Sequence, residues 1–174
     1  MATLHHNISG ELTQELLAAG DRALVRSVSL ANVGKVQTTK VDLYIEKKLT
    51  GKFYILKGVS LPVGTTLILE NSDFSMNNGS GEFGLYIKLT KGDTFTLTGS
   101  IDVTGTNTTV PGSSTVFLTE LSIGDEIVVS GETRTISGIT SDTVATVSAA
   151  WGSDLANDTS PDCNPEALID VIIS

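Results

Sequence analysis

Between residues 52 and 70 the chain reads KFYILKGVSLPVGTTLILE. Phe53 and Ile55 alternate with Tyr54 and Leu56 before a Leu-Pro-Val-Gly corner, and Leu67 and Leu69 resume the alternation after it. A period of two is the spacing of a strand whose two faces meet different surroundings, so this stretch predicts two strands. Pro62 has no N–H to give to a ladder and Gly64 accepts positive φ, which fixes where one strand stops and the next starts. The same period recurs over residues 40–46, where Val41, Leu43 and Ile45 oppose Asp42, Tyr44 and Glu46. It recurs again in Phe83, Leu85, Ile87 and Leu89, and in Phe95 and Leu97. Residues 22–32 place Leu24, Val28 and Leu30 on one face and are expected to form a hairpin with residues 40–46. Residues 11–19, ELTQELLAA, have helical spacing with Gly20 to close the end. Two or three turns are not stable without packing, so helix and strand both stay open there.

Near Gly99 the pattern thins. Residues 100–114 are almost entirely Thr, Gly, Ser and Asn with single valines, the composition of a linker or of weak strands at a domain boundary. Residues 116–121, 126–130, 133–137 and 143–148 then read as four short strands of a barrel-like module, and residues 151–165 as irregular. The closing run ALIDVII, residues 167–173, is far more apolar than the module before it and is expected to return to the first sheet. The predicted fold is all-β: an antiparallel β-sandwich, jelly-roll or immunoglobulin-like, over residues 11–101 plus 164–174. A small barrel-like β module is inserted over residues 102–163, and an extended N-terminal arm covers residues 1–10.

Composition narrows the chemistry. Seventeen glycines and 5% aromatic residues imply light cores, which favours burial against further copies of the chain. Twenty acidic against 11 basic residues give a net charge of −9, which would repel a phosphate backbone, so no nucleic-acid partner is expected. No apolar run approaches the ~20 residues of a membrane span, and the first residues lack the basic start and apolar core of a signal peptide. No membrane partner and a cytoplasmic origin are therefore expected.

Candidate site residues are few. Leu4 and Ile8 in the arm, Phe74 and Met76 in the polar loop 71–82, and Trp151 on a glycine-flanked loop are the candidate partner contacts. Trp151 could also stack on a sugar, although a lid over the small module is the plainer reading. His5 and His6 are adjacent, so an extended chain points them to opposite faces, which suits a surface pair better than a metal site. Asp154, Asp158 and Asp162 recur every four residues without the spacing or bidentate glutamate of an EF-hand, and solvated loop acids are favoured over a calcium site. Gly79-Ser80-Gly81 lacks the lysine and serine of a phosphate loop, and no serine elbow accompanies the histidines. The lone Cys163 leaves neither an intrachain disulfide nor a cysteine zinc site. No catalytic, cofactor-binding or metal-ligating set is expected, and the protein is read as not an enzyme.

Three segments carry a resemblance. Ser27 to Asn32 has the form S-x-x-L-x-N, Tyr54 to Leu67 has the form Y-I-L-K-x-V-x-[IL]-P-x-G-T-x-L, and Asp170 to Ile173 reads D-V-I-I. Together with FGLYIKL these resemble small virion structural proteins of tailed bacteriophages. Residues 111–151 are similar to a small β module of phage head, tail and fibre proteins. The resemblance implies a virion structural component assembled in the bacterial host cytoplasm, most concretely a capsid decoration or cement protein. Its implied partners are the major capsid protein or other virion proteins and further copies of itself, a trimer being favoured. Neck, collar, tail or fibre attachment is the alternative, and a receptor or glycan-binding module a further one.

Overall fold

The computed structural model describes residues 3–47 and 50–174, so the polar turn expected over residues 47–51 falls partly outside the described residues. In chain order the elements begin β1 (Leu4–Ser9), β2 (Gln14–Leu17), β3 (Leu24–Val25), β4 (Val28–Asn32), β5 (Thr39–Lys47) and β6 (Gly51–Leu61). Next come β7 (Thr66–Leu69), β8 (Met76–Asn77), β9 (Phe83–Thr90), β10 (Phe95–Thr96), β11 (Ser100–Val103) and β12 (Thr109–Ser113). A single helical turn, α1 (Phe117–Glu120), precedes β13 (Glu126–Val129), β14 (Glu132–Ser141) and β15 (Val144–Val147). The chain closes with β16 (Leu155–Asp158), β17 (Asp162–Asn164) and β18 (Leu168–Ile173). It divides into two compact units: unit 1 is Met1–Gly34, Thr38–Lys91 and Ala167–Ser174, and unit 2 is Lys35–Gln37 and Gly92–Glu166.

Unit 1 is a sandwich of two four-stranded antiparallel sheets, a first sheet ordered β1-β18-β4-β7 and a second ordered β2-β9-β5-β6. Leaving aside the two-residue pair β3-β8, its eight strands alternate between the sheets in the order of a jelly roll: the first and last strands are neighbours, and only β5 and β6 form a local hairpin. The core between the sheets is built from alternate residues, among them Val28 and Leu30 of β4, Val41 and Leu43 of β5, Leu85, Ile87 and Leu89 of β9, and Ile169, Val171 and Ile173 of β18.

The Pro-Gly corner falls where the alternation placed it, but it joins strands of different sheets rather than neighbours in one. Gly64 has φ +70° and donates its N–H to the Asn32 carbonyl at 3.0 Å. Asn32, 2% exposed, donates its side-chain amide to the Leu61 carbonyl at 2.8 Å and accepts from the Gly34 N–H at 2.9 Å. One buried amide thus ties the exit of β4 to the corner.

Several expectations are corrected here. Residues 22–32 and 40–46 are not a hairpin: β4 pairs with β18 and β7, and β5 with β6 and β9. Leu24 does not share the face of Val28 and Leu30, because the ladder breaks at Arg26 and Ser27, whose N–H groups bond the Ser174 carbonyl. Residues 14–17 form strand rather than helix, with Gln14, Glu15 and Leu17 laddered on β9 and both Leu16 and Leu17 buried. Among the residues expected as an extended arm, Leu4–Ser9 is an edge strand laddered on β18 along its whole length.

Unit 2 has its own core of Ile101, Val103, Val110, Phe117, Leu121, Ile127, Ile136, Trp151 and Cys163 with their neighbours. Eight strands run in the order β10-β17-β13-β14-β15-β12-β11-β16. Among the described residues the two edge strands do not pair, so the expected barrel-like module is an open sheet. Its far end is tied by a side chain, with the Asp158 carboxylate accepting the Ser130 N–H beside the β13–β14 turn. Of the two readings of residues 100–114, linker or weak strands, the strands hold: the stretch contains β11 and β12. Gly99 sits at φ +87° so close to the Ser113 carbonyl that a Cβ would lie 2.4 Å from it, which is why glycine is needed at that crossing. Residues 116–121 hold the helical turn instead of a strand, and residues 151–165 contain two more strands. The unit boundaries accordingly fall at 91/92 and 166/167 rather than 101/102 and 163/164, because Phe95 pairs with Cys163 and Leu97 enters the core of unit 2.

Candidate functional site

Charge separates the two units before any side chain is considered. Unit 2 holds eleven acidic and two basic residues and so carries the whole net charge of −9, whereas unit 1 holds nine of each. The surface chemistry of the sandwich therefore differs in kind from that of the module.

The outer face of the second sheet is mixed in charge and aromatic. All three tyrosines of the chain lie in one row across it, because the register sets Tyr86 opposite Tyr44 and Tyr44 opposite Tyr54. Their ring centroids are 5.7 and 5.3 Å apart. The faces of the rings are taken by the protein's own lysines: Lys52 lies 4.5 Å from the Tyr44 centroid and donates to its hydroxyl at 3.1 Å, and Lys57 lies 3.9 Å from Tyr54. Tyr86 donates to Glu15 at 2.9 Å; partial burial, then this carboxylate, push its hydroxyl above the usual range. The bond to Tyr44 raises Lys52 in turn. Tyr44 is 1% exposed at the centre of the row, whereas Tyr54 at its β6 end is 42% exposed beside Lys57.

The outer face of the first sheet is nearly uncharged. Register aligns His5, Ile172, Ser29 and Ile68 straight across its four strands, with Ile172 42% and Ile68 54% exposed. In a parallel row Asp170 is the only ionised group, and it accepts from the Asn7 amide at 2.6 Å, beside small Ala31. A groove of about 350 Å³ runs along β1 and β18, lined by His5, Asn7, Asp170 and Ile172. Val33, 42% exposed, extends the apolar surface past the end of β4.

The residues singled out as partner contacts lie elsewhere. Ile8 and Met76 are buried in the sandwich core, so they anchor their own strand and loop instead of presenting a contact, while Leu4 and Phe74 are partly buried against that core. The loop 71–82 is closed by Asn78, 1% exposed, whose amide donates to the Asp21 and Phe83 carbonyls. Trp151 is 1% exposed in the core of unit 2, which rules out stacking on a sugar while that unit stays folded. Arg134 covers its ring at 5.5 Å, pairs with Glu132, and donates to the Ala150 carbonyl at 2.9 Å.

Several of the remaining titratable groups are structural ties. His5 is exposed while His6 has its Nε2 buried with no partner among the described residues. Asp154 accepts from the Gly105 N–H, Asp158 from the Ser160 N–H, and Asp162 from the Thr96 hydroxyl, which spends these carboxylates on turns and strand pairing. Among the described residues no group of three His, Cys, Asp or Glu side chains is placed to hold a metal ion. Burial pushes the Cys163 thiol well above its ordinary range, and the adjacent Asp125 carboxylate adds to that shift.

Asp125 itself, 3% exposed, accepts the Ser122 and Glu166 N–H groups at 2.7 Å each and so pins the last segment of unit 2. Burial raises its carboxyl above the usual range, with the two N–H groups offsetting part of the shift. A raised folded value means that the folded unit binds this proton more tightly than the unfolded chain does. Asp125 therefore favours folding most below its unfolded value of about 3.9, and that contribution is lost as pH rises through the folded value. The stability of unit 2 relative to an Asp125→Asn variant is expected to shift in favour of the natural residue between pH 7 and pH 4. Thermal melts followed by Trp151 fluorescence would read it, and a shift the other way would mean a depressed carboxyl.

Fold and surface together define the class: an all-β protein of two units, a neutral jelly-roll sandwich interrupted by a strongly acidic β module. Compared with known proteins, the chain matches no family model, no curated protein and no solved structure.

Proposed function

We propose that this chain is a non-enzymatic structural component of a tailed-phage virion, a capsid decoration or cement protein whose sandwich packs on the particle while its acidic module meets solvent. The observation that carries the reading is the division of charge. A neutral body can lie against neighbouring subunits without repulsion, whereas a module of net −9 is kept apart from other copies and from nucleic acid. Two further lines support it: the resemblance of the sequence motifs to those of phage virion proteins, and the jelly-roll order, a sandwich that recurs in viral capsid domains and weighs here only as analogy. Weak contacts suffice for such a role, because a symmetric lattice repeats each of them many times. The major capsid protein and further copies of this chain are the expected partners.

Quantifying the protein in intact particles tests the reading. Hundreds of copies per particle agree with decoration. About a dozen would move the protein to the neck, tail or fibre attachment, and absence from purified particles would overturn the virion reading altogether.

A further inference from the structure

We propose that the outer side of β11, β12 and β16 in unit 2 is a binding site for a neutral saccharide. A cleft of about 480 Å³ opens there, within the range of small-molecule sites. Ile101 and Val103 are buried in the core of unit 2, so the alternation along β11 turns Ser100 and Asp102 outward, and Thr104 continues their side of the cleft. Ser100 pairs with Ser113, which brings a second serine hydroxyl alongside, with Pro111 next to it. On the other flank of β11 the ladder is irregular: Ile101 pairs with Asp158 but Val103 with Leu155, so Ala156 and Asn157 together face Asp102. That bulge puts Asn157 at φ +49°, a conformation asparagine tolerates, and sets it in the cleft with Asp102.

The lining selects the ligand. Asp125, Asp154, Asp158 and Asp162 are spent on the turns and strand pairs of unit 2, whereas the Asp102 and Asn157 side chains have no partner among the described residues. No cationic side chain lines the cleft, in a unit of net −9, which disfavours an anion. A single carboxylate falls short of the oxygen set of a calcium site, and Pro111 is too little apolar surface to hold a lipid or an aromatic ring. Adjacent hydroxyls of a sugar match what remains: they donate to the Asp102 carboxylate and accept from the Asn157 amide and the serine and threonine hydroxyls. An organic ammonium would satisfy Asp102 but leave the Asn157 donors without an acceptor. With no aromatic ring in the lining to stack on, the affinity is weak, on the order of millimolar, and repetition on a particle would multiply it. The site rests on the geometry of unit 2 and not on the virion reading: purified protein tests the one, copy number in particles the other.

The experiment is a titration of the isotope-labelled full chain with glucose, galactose, mannose and N-acetylglucosamine, each to about 100 mM, a range that brackets millimolar binding, followed by backbone amide resonances. At least one sugar is expected to shift the amides of residues 100–104 and 156–158 saturably. The midpoint should be the same at low and high salt, because a neutral ligand brings no charge to screen. Asn157→Gly keeps the positive φ and removes only the amide, and Asp102→Ala removes the carboxylate; each should weaken binding by about 10-fold. Asp93→Ala, the same change of charge at an exposed acid of unit 2 outside the cleft, should leave it unaltered. Blue-shifted Trp151 emission confirms that unit 2 stays folded in every variant. The proposal is overturned if none of the four sugars shifts these amides, if the shifts fall elsewhere, or if Asp93→Ala weakens binding as much as Asp102→Ala. Putrescine binding there in place of the sugars, and released by salt, would overturn it in favour of a simple cation site.

Discussion

Ending the chain at Glu166 is expected to unfold the sandwich and leave unit 2 folded. The truncation removes β18, which lies between β1 and β4 and is laddered to both. Ile169, Val171 and Ile173 are at most 1% exposed, and at about 1.5–3 kcal/mol for each buried side chain their loss costs roughly 5–9 kcal/mol, comparable with the whole stability of a small domain. Removing the strand also strands β1, whose described ladder partner is β18 alone, and exposes the donors and acceptors of β4. Unit 2 ends at Glu166 and keeps every strand of its sheet.

The protein supplies its own probes for this test. All three tyrosines lie in unit 1 and the single tryptophan in unit 2. The truncated chain should lose its near-ultraviolet tyrosine signal while Trp151 emission stays blue-shifted. A retained tyrosine signal would show that β18 is dispensable to the sandwich; loss of both signals would show that the two units fold only together.

Trp151→Ala is expected to destabilise unit 2 by about 3–5 kcal/mol, the usual cost of deleting a large buried aromatic side chain. Much of so small a module's stability would go with it. The indole is 1% exposed and its Nε1 has no hydrogen-bond partner among the described residues, so Trp151→Phe removes volume but breaks no described bond and should cost markedly less. Calorimetry of the two variants, with the tyrosine signal confirming that unit 1 is intact, would check the order. If alanine costs less than about 1 kcal/mol, Trp151 is not the core residue that its burial implies.

How far the sequence reached depends on which force set each feature. The closing strand was legible because ALIDVII carries more apolar density than a thin module can bury, which forces it back to a larger core. The loop 71–82 and the helix-like 11–19 segment were harder. Loop 71–82 hides a buried asparagine among exposed ones, and nothing in the local pattern marks Asn78 over Asn77 or Asn71. Residues 14–17 follow helical spacing but lie beside β9, whose open ladder groups outweigh a weak helix propensity. Three of the partner-contact residues, Ile8, Met76 and Trp151, are buried for one shared reason: an apolar side chain in a polar stretch looks exposed in sequence, yet it is what holds the stretch to a core.

By itself, the sequence determined the all-β class, the Pro-Gly corner, most of the strands with clean alternation and the interruption of one domain by another. These rest on local physics: side-chain period, the missing N–H of proline and the positive φ of glycine. Only the tertiary structure decided which strands are neighbours, since a period of two says that a residue faces a core but not which sheet supplies the ladder. It also decided that the thin Thr-Gly-Ser stretch 100–114 contains strands β11 and β12, because Ile101, Val103 and Val110 suffice to anchor them once they share a core with Phe117 and Trp151. The neutral face of the first sheet follows in the same way. His5, Ser29, Ile68 and Ile172 are scattered through the chain, and only the ladder register brings them into one row.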